Sequence, residues 1–131
     1  MSSNPKHRGE KGQKIVIGEL AKLDIDCLVP LSDNLPYDLV VDFEGRLLKV
    51  QVKSSSLSMA KNSRCFSLTS NNWYKKTKKT YTRQQIDLII LCDLETYDVF
   101  VLGPSEFENK SGFTIRYKQA KNGQSKGMNF A

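Results

Sequence analysis

Pro36-Tyr37-Asp38-Leu39-Val40-Val41-Asp42-Phe43-Glu44-Gly45-Arg46-Leu47-Leu48-Lys49-Val50-Gln51-Val52-Lys53 is the stretch that decides how this chain folds. Glu44-Gly45 stands between two runs rich in Val and Leu, and glycine supplies the positive φ that a two-residue hairpin turn requires. With the turn centred there, Phe43 faces Arg46, Val41 faces Leu48, Leu39 faces Val50 and Asp38 faces Gln51. Strand alternation sends Leu39, Val41, Leu48, Val50 and Val52 to one side as a continuous apolar surface. Asp38, Lys49, Gln51 and Lys53 go to the other, so an acid, an amide and an ammonium share one small patch.

Outward from the hairpin, Ile15, Val16, Leu20 and Leu23 recur as one face of a helix requires, which predicts a helix over residues 10–22 behind a flexible polar leader, residues 1–9. Ile25, Cys27, Val29 and Leu31 alternate and predict a strand over 24–31, ended by the turn chemistry of Ser32-Asp33-Asn34. The hairpin strands are expected over 37–43 and 46–54. Further strands are expected over 64–69, 86–92, 97–102 and 113–117, with a helical turn at 104–107. From Asn71 to Arg83 the regular pattern breaks into a run with five basic residues and no acid. The expected architecture is α/β, a mixed central sheet with an N-terminal helix carrying Glu19, forming one domain over residues 10–118 and followed by a basic tail, 119–131.

A length of 131 residues suits a single core. The net charge of +6 makes a polyanion a fitting partner, without choosing among DNA, RNA and an acidic membrane surface. Cys27, Cys65 and Cys92 stand far apart with no Cys-x-x-Cys pair, which argues against a zinc site or a disulfide framework. The single histidine, His7, lies in the polar leader, so His-based zinc hydrolysis and a Ser-His-Asp triad lack their residues. The apolar runs are too short to cross a bilayer, and a soluble protein of a reducing cytoplasm is expected.

The polar patch has a definite chemical capacity. Paired Cβ atoms across a hairpin lie about 4.5–5.5 Å apart, so one cation can touch the side chains of both Asp38 and Gln51. Mg²⁺ takes oxygen ligands and uses one or two carboxylates, completing its shell with water and phosphate. The backbone carbonyl of Val52 offers a third ligand, and Glu19 on the helix offers a further carboxylate. Lys53 is placed to steady a nucleophile or the charge that develops on phosphorus. The same alternation is also the ordinary solvent face of an antiparallel hairpin, and spacing alone leaves both readings open. Downstream, Trp73 and Tyr74 are interleaved with Lys75, Lys76, Lys78 and Lys79, with Arg83 close by, a composition suited to contacting phosphates. Arg83, Gln84, Gln85, Asn71 and Asn72 are the residues better suited to base edges.

Taken in order, Glu19, then Pro36-Tyr37-Asp38, then Gln51-Val52-Lys53, residues 10–103 resemble the PD-(D/E)XK nuclease superfamily. The departure is Gln51, where the signature has Asp or Glu. The Gln-x-Lys form, with Lys11-Gly12, the run from Asp33 to Val41 and the run from Tyr81-Thr82 to Ile86-Asp87, looks most like the homing endonucleases encoded in bacterial group I introns. The resemblance implies a restriction-endonuclease-like core, Mg²⁺ or Mn²⁺ at Glu19, Asp38 and Gln51, Lys53 as the catalytic lysine, and double-stranded DNA as substrate. It also implies a homo-oligomer, dimer or tetramer, for which residues 113–131 are the candidate surface. Holliday-junction resolvases share the core but usually keep the acid before x-Lys. A catalytically silent DNA-binding module, with Gln51 as its lesion, is the alternative from another class.

Overall fold

The computed structural model describes residues 5–55, 63–72 and 77–117, without the side chains of Pro5, Asn71, Asn72, Thr77 and Lys78. Helix α1 spans Pro5–Lys22. It begins inside the stretch expected to be a leader, because proline suits a first helical turn and polar turns ahead of the apolar face are invisible to a hydrophobic period. Its end is a Schellman motif: Asp24 N–H donates to the Ala21 carbonyl at 3.1 Å and Ile25 N–H to that of Leu20 at 3.0 Å. Asp24 adopts the required left-handed conformation, φ 57°, and Ile25 packs back toward the core that holds Leu20.

Strands β1 (Asp26–Leu28), β2 (Leu39–Phe43), β3 (Arg46–Ser55), β4 (Ser63–Ser67), β5 (Thr69–Asn72), β6 (Thr77–Thr80), β7 (Leu88–Asp93) and β8 (Val99–Leu102) follow, then the single turn α2 (Pro104–Phe107) and β9 (Gly112–Arg116). The central sheet has the order β1-β2-β3-β7-β8, and only its β3–β7 pair is parallel. The β2–β3 hairpin has the register read from its turn: Leu39 opposite Val50, Val41 opposite Leu48, Phe43 opposite Arg46. Glu44 and Gly45 both take positive φ, 52° and 80°, the conformation whose twist matches that of paired strands.

Several expectations change. The strand expected over 24–31 shrinks to β1, because Pro30 has no N–H to continue the ladder; Leu28, Val29 and Leu31 are left exposed. The strand expected over 64–69 divides at Leu68, before which β4 pairs with β9 and after which β5 pairs with β6. The basic run is therefore partly a hairpin, with Ser70 opposite Lys79 and Asn71 opposite Lys78. Of the segment 113–131 expected to serve assembly, β9 pairs with β4 within the chain, and 118–131 lies outside the described residues.

Each face of the central sheet carries its own core. On one side α1 lays Val16 and Leu20 over Leu39, Val41, Leu48, Val50, Val52, Ile90 and Cys92. On the other, Ile89 and Leu91 of β7 meet Phe66, Leu68, Tyr81, Ile86, Phe107 and Ile115. Buried Asp93 ties the second layer to the sheet, accepting from Arg64 Nε at 2.9 Å and from the Tyr117 hydroxyl at 2.7 Å. The helix comes so close to β3 at Gly12 that a Cβ there would collide with Ser54 Oγ. A Cβ at Gly18, by contrast, would meet nothing within 4 Å. Gly18→Ala should therefore gain about 1 kcal/mol from helix propensity, whereas Gly12→Val should lose about 1–3 kcal/mol through overpacking. Urea unfolding of the two variants against wild type checks the contrast.

Candidate metal and phosphodiester site at the edge of β2 and β3

The β2 ladder stops at Leu39, yet β3 runs on to Ser55, so among the described residues the second half of β3 has no strand paired on that edge. Even-numbered residues of β3 present their backbone groups to β2, as the bond from Asp38 N–H to the Val50 carbonyl (2.8 Å) shows. Val52 is next on that side. Its N–H finds no β2 carbonyl and donates to Asp38 Oδ2 at 3.0 Å instead. Its carbonyl points into the same gap and accepts from Gln51 Nε2 at 3.3 Å. The sequence around Asp38 thus ends one strand and places a carboxylate, an amide and a backbone carbonyl at the opening that results.

Lys53 stands on the same face of β3 as Gln51. Its Nζ donates to the Thr69 carbonyl at 2.8 Å and sits 5.3 Å from the centre of the Tyr81 ring. Burial raises Asp38 above the ordinary carboxylate value, a shift opposed by the Val52 N–H and by the Lys53 charge. Burial likewise lowers Lys53, and the Asp38 charge opposes it. Tyr81 is pushed up to about 12, by burial first and the charge of Asp38 second, against a hydrogen bond with Ser70. Acid and ammonium therefore share a partly desolvated pocket, each limiting the other's shift toward neutrality.

The donor set fits a hard divalent cation. Asp38 supplies charge, Gln51 and Val52 supply neutral oxygens, and ionised Asp38 in its desolvated setting gains from a nearby cation. Glu19 is not brought to this set. It lies on α1 in an ion pair with Lys22 at 2.8 Å, and α1 covers the sheet face opposite Gln51 and Lys53. Its charge is felt there by Cys92, whose thiol burial first, and Asp93 next, push up to about 12. A helical period shows which α1 residues point at a core but not which end of the sheet they overlie, and Glu19 falls on the far side. Among the described residues, no group of three or more His, Cys, Asp or Glu gathers within reach of one ion.

The residues expected to contact nucleic acid divide similarly. Lys79 is exposed on β6, Lys78 precedes it on the same strand, and Trp73, Tyr74, Lys75 and Lys76 lie outside the described residues. Arg83 is already engaged: its Nε and Nη2 each lie 2.8 Å from Glu108 Oε1, and its N–H donates to Oε2. Thr69, just before the basic run, and Tyr81, within it, are the two residues that touch the Lys53 ammonium, and no spacing rule singles them out. Asp87 was also missed. It brackets Lys49 on the other edge of β3, donating to its carbonyl and accepting from its N–H, both at 2.8 Å, as Asp38 brackets Val50 and Val52.

A family model described as PD-(D/E)XK endonuclease matches residues 3–131. A solved structure of a bacterial homing endonuclease, I-Ssp6803I, is similar at 30% sequence identity with a TM-score of 0.74, over 86% of this chain and 78% of that one. No curated protein matches.

The raised Asp38 has a consequence for stability. An unfolded carboxyl titrates near about 3.9, and the folded one holds its proton to higher pH, so stability tied to this group is lost as pH rises through that interval. Asp38→Asn removes the cost of the ionised form. In the absence of metal the variant should melt above wild type at about pH 7, with the difference shrinking as pH falls through that interval and gone below about pH 4. Added MgCl₂ should raise the wild-type midpoint by linkage and leave the variant unmoved. Thermal unfolding with and without the salt reads both effects.

Proposed function

The chain belongs to the PD-(D/E)XK endonuclease family, and on that premise we propose that it is a divalent-metal-dependent, site-specific double-strand DNA endonuclease of the homing type. The observation that carries the reading is the convergence of Asp38, Gln51, the Val52 carbonyl and Lys53 at the gap where β2 stops. The similar bacterial homing endonuclease supports the homing assignment over a junction-resolving one.

A divalent ion held there supplies a water of lowered pKa and neutralises charge on the scissile phosphate. The chain's own groups do the rest. Val52 N–H holds Asp38 Oδ2 and so fixes the carboxylate plane, which leaves Oδ1 as the oxygen offered to the cation. Gln51 has only to exchange its amide nitrogen for its oxygen to face the same point, alongside the Val52 carbonyl. Lys53 keeps one N–H on the Thr69 carbonyl and turns its remaining donors toward the attacking oxygen and the non-bridging phosphate oxygens. Mg²⁺ is the ion the donor set favours, and Mn²⁺ the natural substitute.

The basic run is the proposed DNA contact, with Trp73, Tyr74, Lys75, Lys76, Lys78 and Lys79 meeting phosphates of the backbone. Arg83, clamped to Glu108, is reassigned to holding the chain after β6 against α2. One centre per chain cannot cut both strands at once, so a dimer or tetramer is proposed for the active form. The charge count favours one second reading, the silent DNA-binding module: Asp38 is a single carboxylate partnered by a neutral amide, with Glu19 on the opposite face.

Incubation of the full chain with a plasmid library and Mg²⁺, followed by mapping of the ends, tests the reading directly. Unique double-strand ends support it, and salt-dependent binding without any nicking supports the silent module, more so if Gln51→Glu begins to nick. Lys53→Met and Asp38→Ala should each lower single-turnover cleavage by about 1000-fold or more while binding changes little; wild-type rates in both would sink the assignment. Lys78→Ala with Lys79→Ala should reduce the salt slope of binding by about 2, and Arg83→Ala should leave that slope unchanged.

A further inference from the structure

We propose that Tyr81 is a positioning residue: the face of its ring, with the Thr69 carbonyl, seats the Lys53 ammonium at the β2–β3 gap. The proposal rests on the nuclease reading only for what Lys53 does there. The geometry itself is independent of it. Lys53 Nζ lies 2.8 Å from the Thr69 carbonyl and 5.3 Å from the ring centre, within the distance at which a cation is attracted to an aromatic face.

Three features shape this arrangement. Tyr81 is 5% exposed and Lys53 half-buried, so the cation meets the ring in a partly desolvated setting, where the attraction exceeds that at an exposed site. Its ring is packed in the core with Phe66, Leu68 and Ile86, which holds it in place beside the hairpin that provides Thr69. Thr69 and Thr80 are directly paired, so the two contacts to Lys53 come from the closed base of the β5–β6 hairpin, from Thr69 itself and from the residue after Thr80. A lysine has four rotatable side-chain bonds and about 2 kcal/mol of rotamer entropy to lose. A hairpin base that grips its end removes that freedom before substrate arrives.

The same base connects the lysine to the basic strands. DNA pressing on Lys79 and its neighbours bears on the element that holds Lys53, so Tyr81 should influence the cleavage step rather than affinity. Tyr81→Leu keeps much of the apolar volume and removes the ring. It should lower the single-turnover rate on a plasmid carrying the mapped site by about 10-fold, with binding in EDTA changed less than twofold. Tyr81→Phe should recover most of that loss.

Because Tyr81 belongs to a core, the deciding series keeps its shape: Tyr81→Phe with increasing ring fluorination, incorporated into the full chain, weakens the ring's attraction for a cation at nearly constant size. The cleavage rate should fall stepwise along the series at unchanged affinity. In parallel, the Lys53 side-chain ¹Hε resonances should show the upfield ring-current shift expected over an aromatic face and lose it in Tyr81→Leu. Equal rates across the fluorinated series, or Lys53 resonances unshifted in wild type, would overturn the proposal. If no DNA is cleaved by wild type, the nuclease reading fails, and the resonance shift still decides whether Tyr81 seats Lys53.

Discussion

A backbone N–H in the middle of a sheet must find an acceptor, and at Val52 the acceptor is the Asp38 carboxylate. Much of the site follows from that one bond. It ends β2 at Leu39, opens the edge of β3, aims the Val52 carbonyl into the gap and holds an acidic side chain where solvent is partly excluded. A carboxylate that terminates a strand in a partly desolvated pocket costs the fold something, since its ionised form is disfavoured by burial. Lys53 and the amide of Val52 offset part of that cost.

The pocket is modest in charge. One acid, one amide and one carbonyl suit a weakly held hard cation better than a tightly bound one, and the lysine beside them competes electrostatically with that cation. Glu19 does not correct the balance from its place on α1. Phosphate from the substrate therefore becomes an important ligand, which ties metal occupancy to DNA binding in the proposed enzyme.

Around this gap the two faces of the sheet have different duties. α1 seals one face, and its close approach at Gly12 sets the helix against Ser54, the residue after Lys53. The other face carries Gln51, Lys53 and the second layer, which Asp93 pins through Arg64 and Tyr117. The β5–β6 hairpin belongs to this second side. Its base touches Lys53, so the basic segment and the lysine are parts of one substructure.

The central hairpin was legible from Leu39 to Val50, because a two-residue turn with Gly45 sets the register and a period of two sorts the faces, whereas the expected pairing of Asp38 with Gln51 gives way to the bonds of Asp38 to Val50 and Val52. Helix α1, the β7–β8 pair and the turn at α2 were legible for the same reason: each is decided by residues close in sequence. What sequence left open depends on neighbours far along the chain. The parallel pairing of β3 with β7, the division of the expected strand at Leu68 and the pairing of β4 with β9 all join segments separated by long loops. Patterning can show that a strand is half-buried, but not against which partner. The same limit governed the site: Asp38, Gln51 and Lys53 share one local hairpin and could be placed from sequence alone, whereas Glu19, Arg83 and Tyr81 could not. Tertiary packing decided those three, putting Glu19 on the far face, clamping Arg83 to Glu108 and laying the Tyr81 ring under Lys53, because hydrophobic burial fixes where whole elements dock and only docking fixes which side chains meet.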